Sequence, residues 1–110
     1  MPNSKKVQDF LTQHSIRWER EGDYIVVKDI RLSGNHLDSL PDLSAVIVRG
    51  DFDCSENRLT SLKGVPQRIG GSFLCWGNRL ASLDGGPQEI GGDFNCSTTE
   101  LYSNAVLSNS

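Results

Sequence analysis

A repeat of 21 residues in the second half of the chain constrains its fold more than any other feature. Residues 50–70, GDFDCSENRLTSLKGVPQRIG, align without gaps on residues 71–91, GSFLCWGNRLASLDGGPQEIG. A third copy begins at residue 92, and a more divergent copy, one residue longer, begins at residue 30. A unit this short cannot bury its own apolar side. The copies are therefore expected to stack as coils around a shared core.

The apolar positions of each copy predict which side chains face that core. The Phe-x-Cys pattern at 52–54, 73–75 and 94–96 alternates with period two, so both side chains of each pair point to the inner face of a short strand. A bend follows at Asn57, whose amide is expected to bond to the backbone of adjoining coils. Pro66 and the Gly70-Gly71 pair exclude a helix from the return leg. We predict a parallel sheet on one side of the coil and irregular returns on the other.

The two ends of the chain lack this repeat. Residues 4–13 place Val7, Phe10 and Leu11 on one helical face, and two short strands joined at Gly22-Asp23 follow. We therefore predict an N-terminal α/β cap over residues 1–29, with Ser4 as the helix N-cap. Residues 102–110 are expected to form a C-terminal tail or a minimal cap. A poorly covered end there leaves open a homodimer formed through the C-terminal end of the solenoid.

The repeat resembles the leucine-rich repeat in its short form, I/F-x-L/C-x-x-N-x-L-x-x-L. The longer pattern LxxLxGxPxxIGGxFxC is similar to tandem repeats in small phage and bacterial proteins. The resemblance covers residues 30–101, divided as 30–51, 52–72, 73–93 and a partial copy at 94–101. It implies a mainly β leucine-rich-repeat solenoid with a parallel sheet and few helices. It implies no particular partner, because this scaffold serves many targets.

Composition narrows the functional classes. Eleven Lys and Arg against fourteen Asp and Glu give a net charge of −3, which argues against direct nucleic-acid binding. No run approaches the roughly 18 apolar residues of a membrane span, and the first ten residues lack the apolar region of a secretory signal. Three cysteines cannot all pair within one chain. We therefore expect a reducing, cytoplasmic compartment, that of the host cell if the protein is phage-encoded.

Nothing in the sequence forms a recognisable catalytic or metal-binding motif. Cys54, Cys75 and Cys96 are predicted to stack about 4.8 Å apart as small buried side chains, whereas zinc needs four convergent ligands. His14 and His36 have no neighbouring Cys or Ser in a nucleophile motif. We therefore expect no enzymatic activity, no cofactor and no metal.

The outward face of the predicted sheet is the candidate interaction surface. If phenylalanine and cysteine point inward, Leu74 and Trp76 point outward beside rows of polar residues. An exposed tryptophan next to a leucine and rimmed by carboxylates is typical of a binding hot spot. The alternative is that Trp76 lies over adjacent strands as a surface cover. The predicted partner-binding residues are Trp76, Leu74, Asp53, Asp51, Asn95 and Arg31.

These features together favour a non-enzymatic protein–protein interaction module. The acidic rim would favour a protein partner with a basic patch. A narrower alternative, based on the resemblance to small phage proteins, is an inhibitor of a host defence or nucleic-acid-processing complex, such as an anti-CRISPR-like protein. A second alternative is a structural protein that self-assembles.

Overall fold

The computed structural model describes residues 4–97 and shows a mainly β solenoid of about three turns with parallel sheets. The described part contains one helix and nine short strands. In chain order these are α1 (Ser4–Gln13), β1 (Trp18–Glu21), β2 (Tyr24–Val27), β3 (Ile30–Arg31), β4 (Val46–Val48), β5 (Phe52–Asp53), β6 (Arg68–Ile69), β7 (Phe73–Leu74), β8 (Glu89–Ile90) and β9 (Phe94–Asn95).

The strands form two sheets around one core. The front sheet has the order β3-β5-β7-β9 and is parallel throughout, as predicted. The return sheet has the order β1-β2-β4-β6-β8 and is parallel except for the β1-β2 hairpin. The prediction of irregular returns is therefore wrong. Pro66 and Gly70 flank the short strand β6 rather than occupy it, so they do not interrupt its hydrogen bonds.

The core is a stack of equivalent side chains from successive coils. Phe52 lies over Phe73, with ring centroids 5.7 Å apart, and Phe73 lies 5.5 Å from Phe94. Phe52, Phe73, Cys54 and Cys75 are fully buried, which confirms their predicted inward orientation. Phe94 differs from the prediction, because it remains 51% exposed. As the last described ring of the stack, it is covered by a phenylalanine on one face only.

One turn of each coil is closed by asparagine side chains, and we call Asn35, Asn57 and Asn78 the asparagine corner. The Oδ1 atom of Asn57 accepts the N–H groups of Asn35 and Leu37 of the preceding coil, at 3.1 and 2.9 Å. Its Nδ2 atom donates to three carbonyls, those of Leu32, Cys54 and Ser55. The predicted role of Asn57 in joining coils is thus confirmed. Left-handed backbone lies one residue earlier, at Glu56 (φ 54°).

The opposite turn is formed by glycines, and we call Gly50, Gly70, Gly71, Gly91 and Gly92 the glycine corner. Here backbones stack directly: the N–H of Gly70 donates to Val48 O at 2.8 Å, and the N–H of Gly91 donates to Ile69 O at 2.9 Å. A Cβ on Gly70 would overlap the carbonyl oxygen of Arg49, which belongs to the preceding coil. Glycine is required because the coils approach too closely for any side chain.

The N-terminal helix has the predicted boundaries, and the two hairpin strands that follow it are joined at Gly22-Asp23 as predicted. Val7 and Leu11 of α1 are buried in the common core and Phe10 is half-buried. Strands β1 and β2 pair from Trp18–Val27 to Glu21–Tyr24, and β2 continues the return sheet through β4. The Ser4 side chain lies outside the described part of the structure. So do residues 98–101, the predicted tail at 102–110 and the homodimer interface predicted at that end.

Candidate interaction surface

Four of the predicted partner-binding residues form one row across the front sheet. The register pairs Arg31 with Asp53, Asp53 with Leu74, and Leu74 with Asn95. Adjacent strands are about 4.8 Å apart, so the row is roughly 14 Å long. Arg31 and Asn95, at its ends, are exposed, whereas Asp53 and Leu74 are half-buried. The structure thus brings these four residues together, with a leucine between two polar groups.

Trp76 follows Leu74 by two residues on the same outward side, one row further along. Its carbonyl accepts the N–H of Glu56 at 2.8 Å, which fixes its backbone against the preceding coil. The side chain is 38% exposed, so the predicted outward orientation is correct. More than half of the side chain is nevertheless covered, so Trp76 is partly packed on the coil and partly available to a partner.

Asp51 has a structural contact that the sequence analysis did not predict. Its Oδ1 atom accepts the N–H of Ser72 at 2.8 Å, and its own N–H donates to Oδ1 of Asp29 at 2.8 Å. One coil further, Oγ of Ser72 accepts the N–H of Asp93 at 3.0 Å. These contacts form a ladder beside the glycine corner. The half-buried Asp51 carboxylate therefore joins two coils and presents less of its charge to a partner than we expected.

Asp53 and Asn95 each bind the serine two residues ahead. Oδ1 of Asp53 accepts the N–H of Ser55 at 3.0 Å and also its hydroxyl. Oδ1 of Asn95 accepts the N–H and hydroxyl of Ser97 at 3.4 and 3.3 Å. The period-two alternation along the strand places Ser55 on the outer side with Asp53, but Ser55 is fully buried. The Ser55 hydroxyl donates to Asp53. On the next coil the same repeat position is occupied by Trp76, which is exposed. Alternation along the strand therefore does not by itself predict whether a residue at this position is exposed.

The charges of the surface are unevenly distributed. Glu56 is exposed next to Trp76, whereas Asp93 is exposed at the other end of the strands, beside Ser72, and Arg31 lies at the N-terminal end of the row. The Arg31 guanidinium is 3.7 Å from Oδ2 of Asp29, and its side chain is 68% exposed. An ion pair this exposed is worth about 0–1 kcal/mol. Arg31 is therefore available to a partner at little cost in stability.

The cysteines stack in the core as predicted, but two of them are paired. Cys75 and Cys96 are joined in a disulfide, with Cα atoms 4.4 Å apart, because the in-register strands bring equivalent side chains face to face. A disulfide is typical of an oxidising environment, so this pairing disagrees with the predicted reducing compartment. The compartment stays a prediction. Cys54 is a free, buried thiol whose pKa is raised by burial to about 12, with a contribution from the nearby Asp53 charge. Cys54 is therefore protonated and unreactive at neutral pH.

Other chemistry within the described residues is limited. Residues 4–97 contain no group of three or more His, Cys, Asp or Glu side chains placed to hold a metal ion. A groove of about 520 Å³ lies along the loops that include Asp42 and Lys63. There, hydrogen bonds from the Ser44 hydroxyl and N–H lower the pKa of Asp42. A carboxylate held in this way is a structural acceptor rather than a base.

No family model, no curated protein and no solved structure matches the chain. The helix within residues 4–97 is neither long enough nor apolar enough to cross a membrane.

Proposed function

We propose that the protein is a non-enzymatic binding module that contacts a protein partner through the outer side of its front sheet. The observation that carries this proposal is the 38% exposure of Trp76 beside the half-buried Leu74. Tryptophan is enriched among residues that dominate binding energy, and its partly packed ring loses little conformational freedom on binding. We further propose that the coils are short leucine-rich repeats and that α1 with the β1-β2 hairpin caps the first of them.

The backbone beneath this surface is held on both sides. The amide of Asn78 bonds to the backbone of Cys54, Leu59 and Cys75, and Asp51 bonds to Ser72. A partner would therefore meet Trp76 and Leu74 in a pre-formed arrangement, which reduces the entropy lost on association. The exposed Glu56 and Asp93 carboxylates would accelerate encounter with a basic partner and select for it.

The test compares two exposed aromatic residues. Wild-type protein, Trp76→Ala and Tyr24→Ala are each immobilised and exposed to a bacterial lysate, and the captured protein is then purified for titration calorimetry. Tyr24 is 44% exposed but lies on the return sheet, so Tyr24→Ala controls for loss of an aromatic surface residue. We expect Trp76→Ala to weaken binding about 30-fold or more, equivalent to about 2 kcal/mol, and Tyr24→Ala to leave it unchanged.

Equal affinity of wild type and Trp76→Ala for every captured protein would overturn the proposal. Equal losses in both variants would also overturn it, because the front sheet would then have no special role. Raising the salt concentration above about 0.15 M should lower the association rate if the carboxylates steer the partner.

Self-association is a second candidate, favoured by the 51% exposure of Phe94 at the last described rung of the core. An apolar ring left open on one face could be covered by a second copy. Light scattering over a range of concentrations tests this idea: a Phe94→Ser variant should remain monomeric where the wild type associates. A wild type that is monomeric at all concentrations would remove this candidate.

A further inference from the structure

The two sheets begin differently at the N-terminal end of the solenoid. The return sheet is extended beyond the coils by β1, which pairs with β2. The front sheet begins at β3, whose neighbour within the described sheets is β5 alone. One side of β3 is therefore a strand edge without a backbone partner in residues 4–97.

The register identifies which backbone groups lie along that edge. The N–H groups of Ile30 and Leu32 donate to the carbonyls of Asp51, just before β5, and of Asp53 in β5, at 2.9 and 2.7 Å. In a parallel pair, successive residues point their backbone groups to opposite sides of the strand. The N–H and C=O of Arg31 therefore point away from β5, toward the unpaired edge.

Later coils show what normally occupies such a position. Asp53, Leu74 and Asn95 are the equivalents of Arg31, and each is bonded to the coil before it. Their carbonyls accept the N–H groups of Leu32, Cys54 and Cys75 at 2.7–2.8 Å. Arg31 has the same backbone geometry, but its edge has no preceding coil in the front sheet. An added strand would complete the pattern that the protein itself repeats three times.

The side chains around this edge indicate the charge of its ligand. A pocket of about 280 Å³ borders Asp29 and Arg31 and is lined also by Arg17 and Lys28. Asp29 is already engaged, since its Oδ1 accepts the Asp51 N–H and its Oδ2 lies near Arg31. The lining of this pocket thus contains three cationic side chains and one carboxylate that already has hydrogen-bond and ion-pair partners. The net positive charge of the lining favours an anionic ligand.

We propose that the free edge of β3 binds an extended, acidic segment of a partner protein, which adds to the front sheet as a parallel strand bonded to the Arg31 backbone. Main-chain hydrogen bonds would supply the pairing, and acidic side chains would meet Arg17, Lys28 and Arg31. Ile16 also lines the pocket, so small apolar residues alternating with the acidic ones fit the site. This site is separate from the surface around Trp76 and would act alongside it.

The probe is a fluorescein-labelled peptide of alternating Glu and Val, followed by anisotropy at low salt. Two control peptides separate strand pairing from charge: one replaces Glu with Lys, and the other keeps Glu but is N-methylated at alternate residues, so that it cannot pair. We expect the Glu-Val peptide to bind at least tenfold more tightly than either control. Equal binding of the N-methylated peptide would overturn the proposal, because attraction would then be due to charge alone.

Two further measurements locate the site. Binding should slow hydrogen exchange of the Arg31 amide at least tenfold, while the Ile30 and Leu32 amides, already bonded, change little. Arg17→Glu should weaken binding about tenfold, whereas Arg68→Glu, on the exposed side of β6, should not. An unchanged Arg31 amide, or equal losses in the two variants, would overturn the proposal. Trp76→Ala should bind the peptide normally, so this result is independent of the proposed function.

Discussion

The asparagine corner and the glycine corner close the same coil by opposite means. At the asparagine corner, a side chain with both donor and acceptor groups replaces backbone hydrogen bonds that the turn cannot make. At the glycine corner, the absence of side chains lets carbonyl and N–H groups of successive coils meet directly. One corner thus depends on specific hydrogen bonds and the other on space, and substitutions should affect them for different reasons.

The largest expected effect is at the asparagine corner. Asn57→Ala would leave three backbone groups without their partner, the N–H groups of Asn35 and Leu37 and the carbonyl of Leu32, and each buried unsatisfied group costs about 1–3 kcal/mol. We expect the free energy of unfolding, measured in urea, to fall by about 3 kcal/mol or more. The matched control is Asn35→Ala, because Asn35 is exposed and its amide makes a single 3.3 Å hydrogen bond to Ser33.

Asn35→Ala should change the free energy of unfolding by less than about 0.5 kcal/mol, as surface substitutions usually do. Similar losses in the two variants would show that the corner depends on the conformation of asparagine rather than on the bonds between coils. The comparison of corners would then lose its basis.

The next effect is at the glycine corner. Gly70→Ala places a methyl group against the Arg49 carbonyl, and a backbone atom cannot move aside without shifting a whole coil. We expect a loss of about 2–3 kcal/mol, as for overpacked cores. Gly34→Ala is the control: its backbone is left-handed (φ 72°), but a Cβ there would meet nothing within 4 Å.

Gly34→Ala should cost about 1 kcal/mol, the price of a left-handed alanine. Both free energies come from the same urea titrations. A larger loss for Gly34→Ala than for Gly70→Ala would mean that backbone conformation, and not the space between coils, determines where glycine is needed.

Much of this fold could be predicted from the sequence, because each residue type recurs at a fixed step. The inward Phe-x-Cys pattern, the bonding of Asn57 between coils and the boundaries of α1 follow from periodicity and turn chemistry. The return strands could not be predicted in the same way. They are only two or three residues long, between proline and glycine, and it is pairing with neighbouring coils that makes them strands.

The candidate site was predictable only in outline. Alternation along the strand predicts that Trp76 is exposed. It does not predict which carboxylates accept hydrogen bonds from the backbone. The structure engages Asp51 and Asp53 with N–H groups of Ser72 and Ser55, because turns leave backbone donors that short acidic side chains can reach. The sequence does contain a signal for the contact between Asp51 and Ser72. One repeat position always carries a short polar side chain, and in the last three copies this residue directly follows a glycine: Asp29, Asp51, Ser72 and Asp93.

The effect that is absent at neutral pH concerns Cys54, in the interior that both corners enclose. Burial raises the pKa of its thiol from an ordinary 9.0 to about 12, so the folded state disfavours the thiolate. Its contribution to stability is complete below pH 9 and is lost as the pH rises from 9 toward 12, by at most about 1.4 kcal/mol per pH unit. Urea titrations between pH 8 and 11 give the slope of the free energy of unfolding against pH, which we call the alkaline slope. Cys54→Ala should remove the part of the alkaline slope that is due to this thiol.

The same slope measures how each corner protects the interior. The carbonyl of Cys54 accepts the amides of both Asn57 and Asn78, whereas the glycine corner lies at the far end of the strand. We therefore expect Asn57→Ala to admit water to Cys54 and to reduce the alkaline slope more than Gly70→Ala does, with Cys54→Ala in each background as the reference. Equal slopes in the two variants would show that the corners seal the core equally, although one does so with hydrogen bonds and the other with close packing.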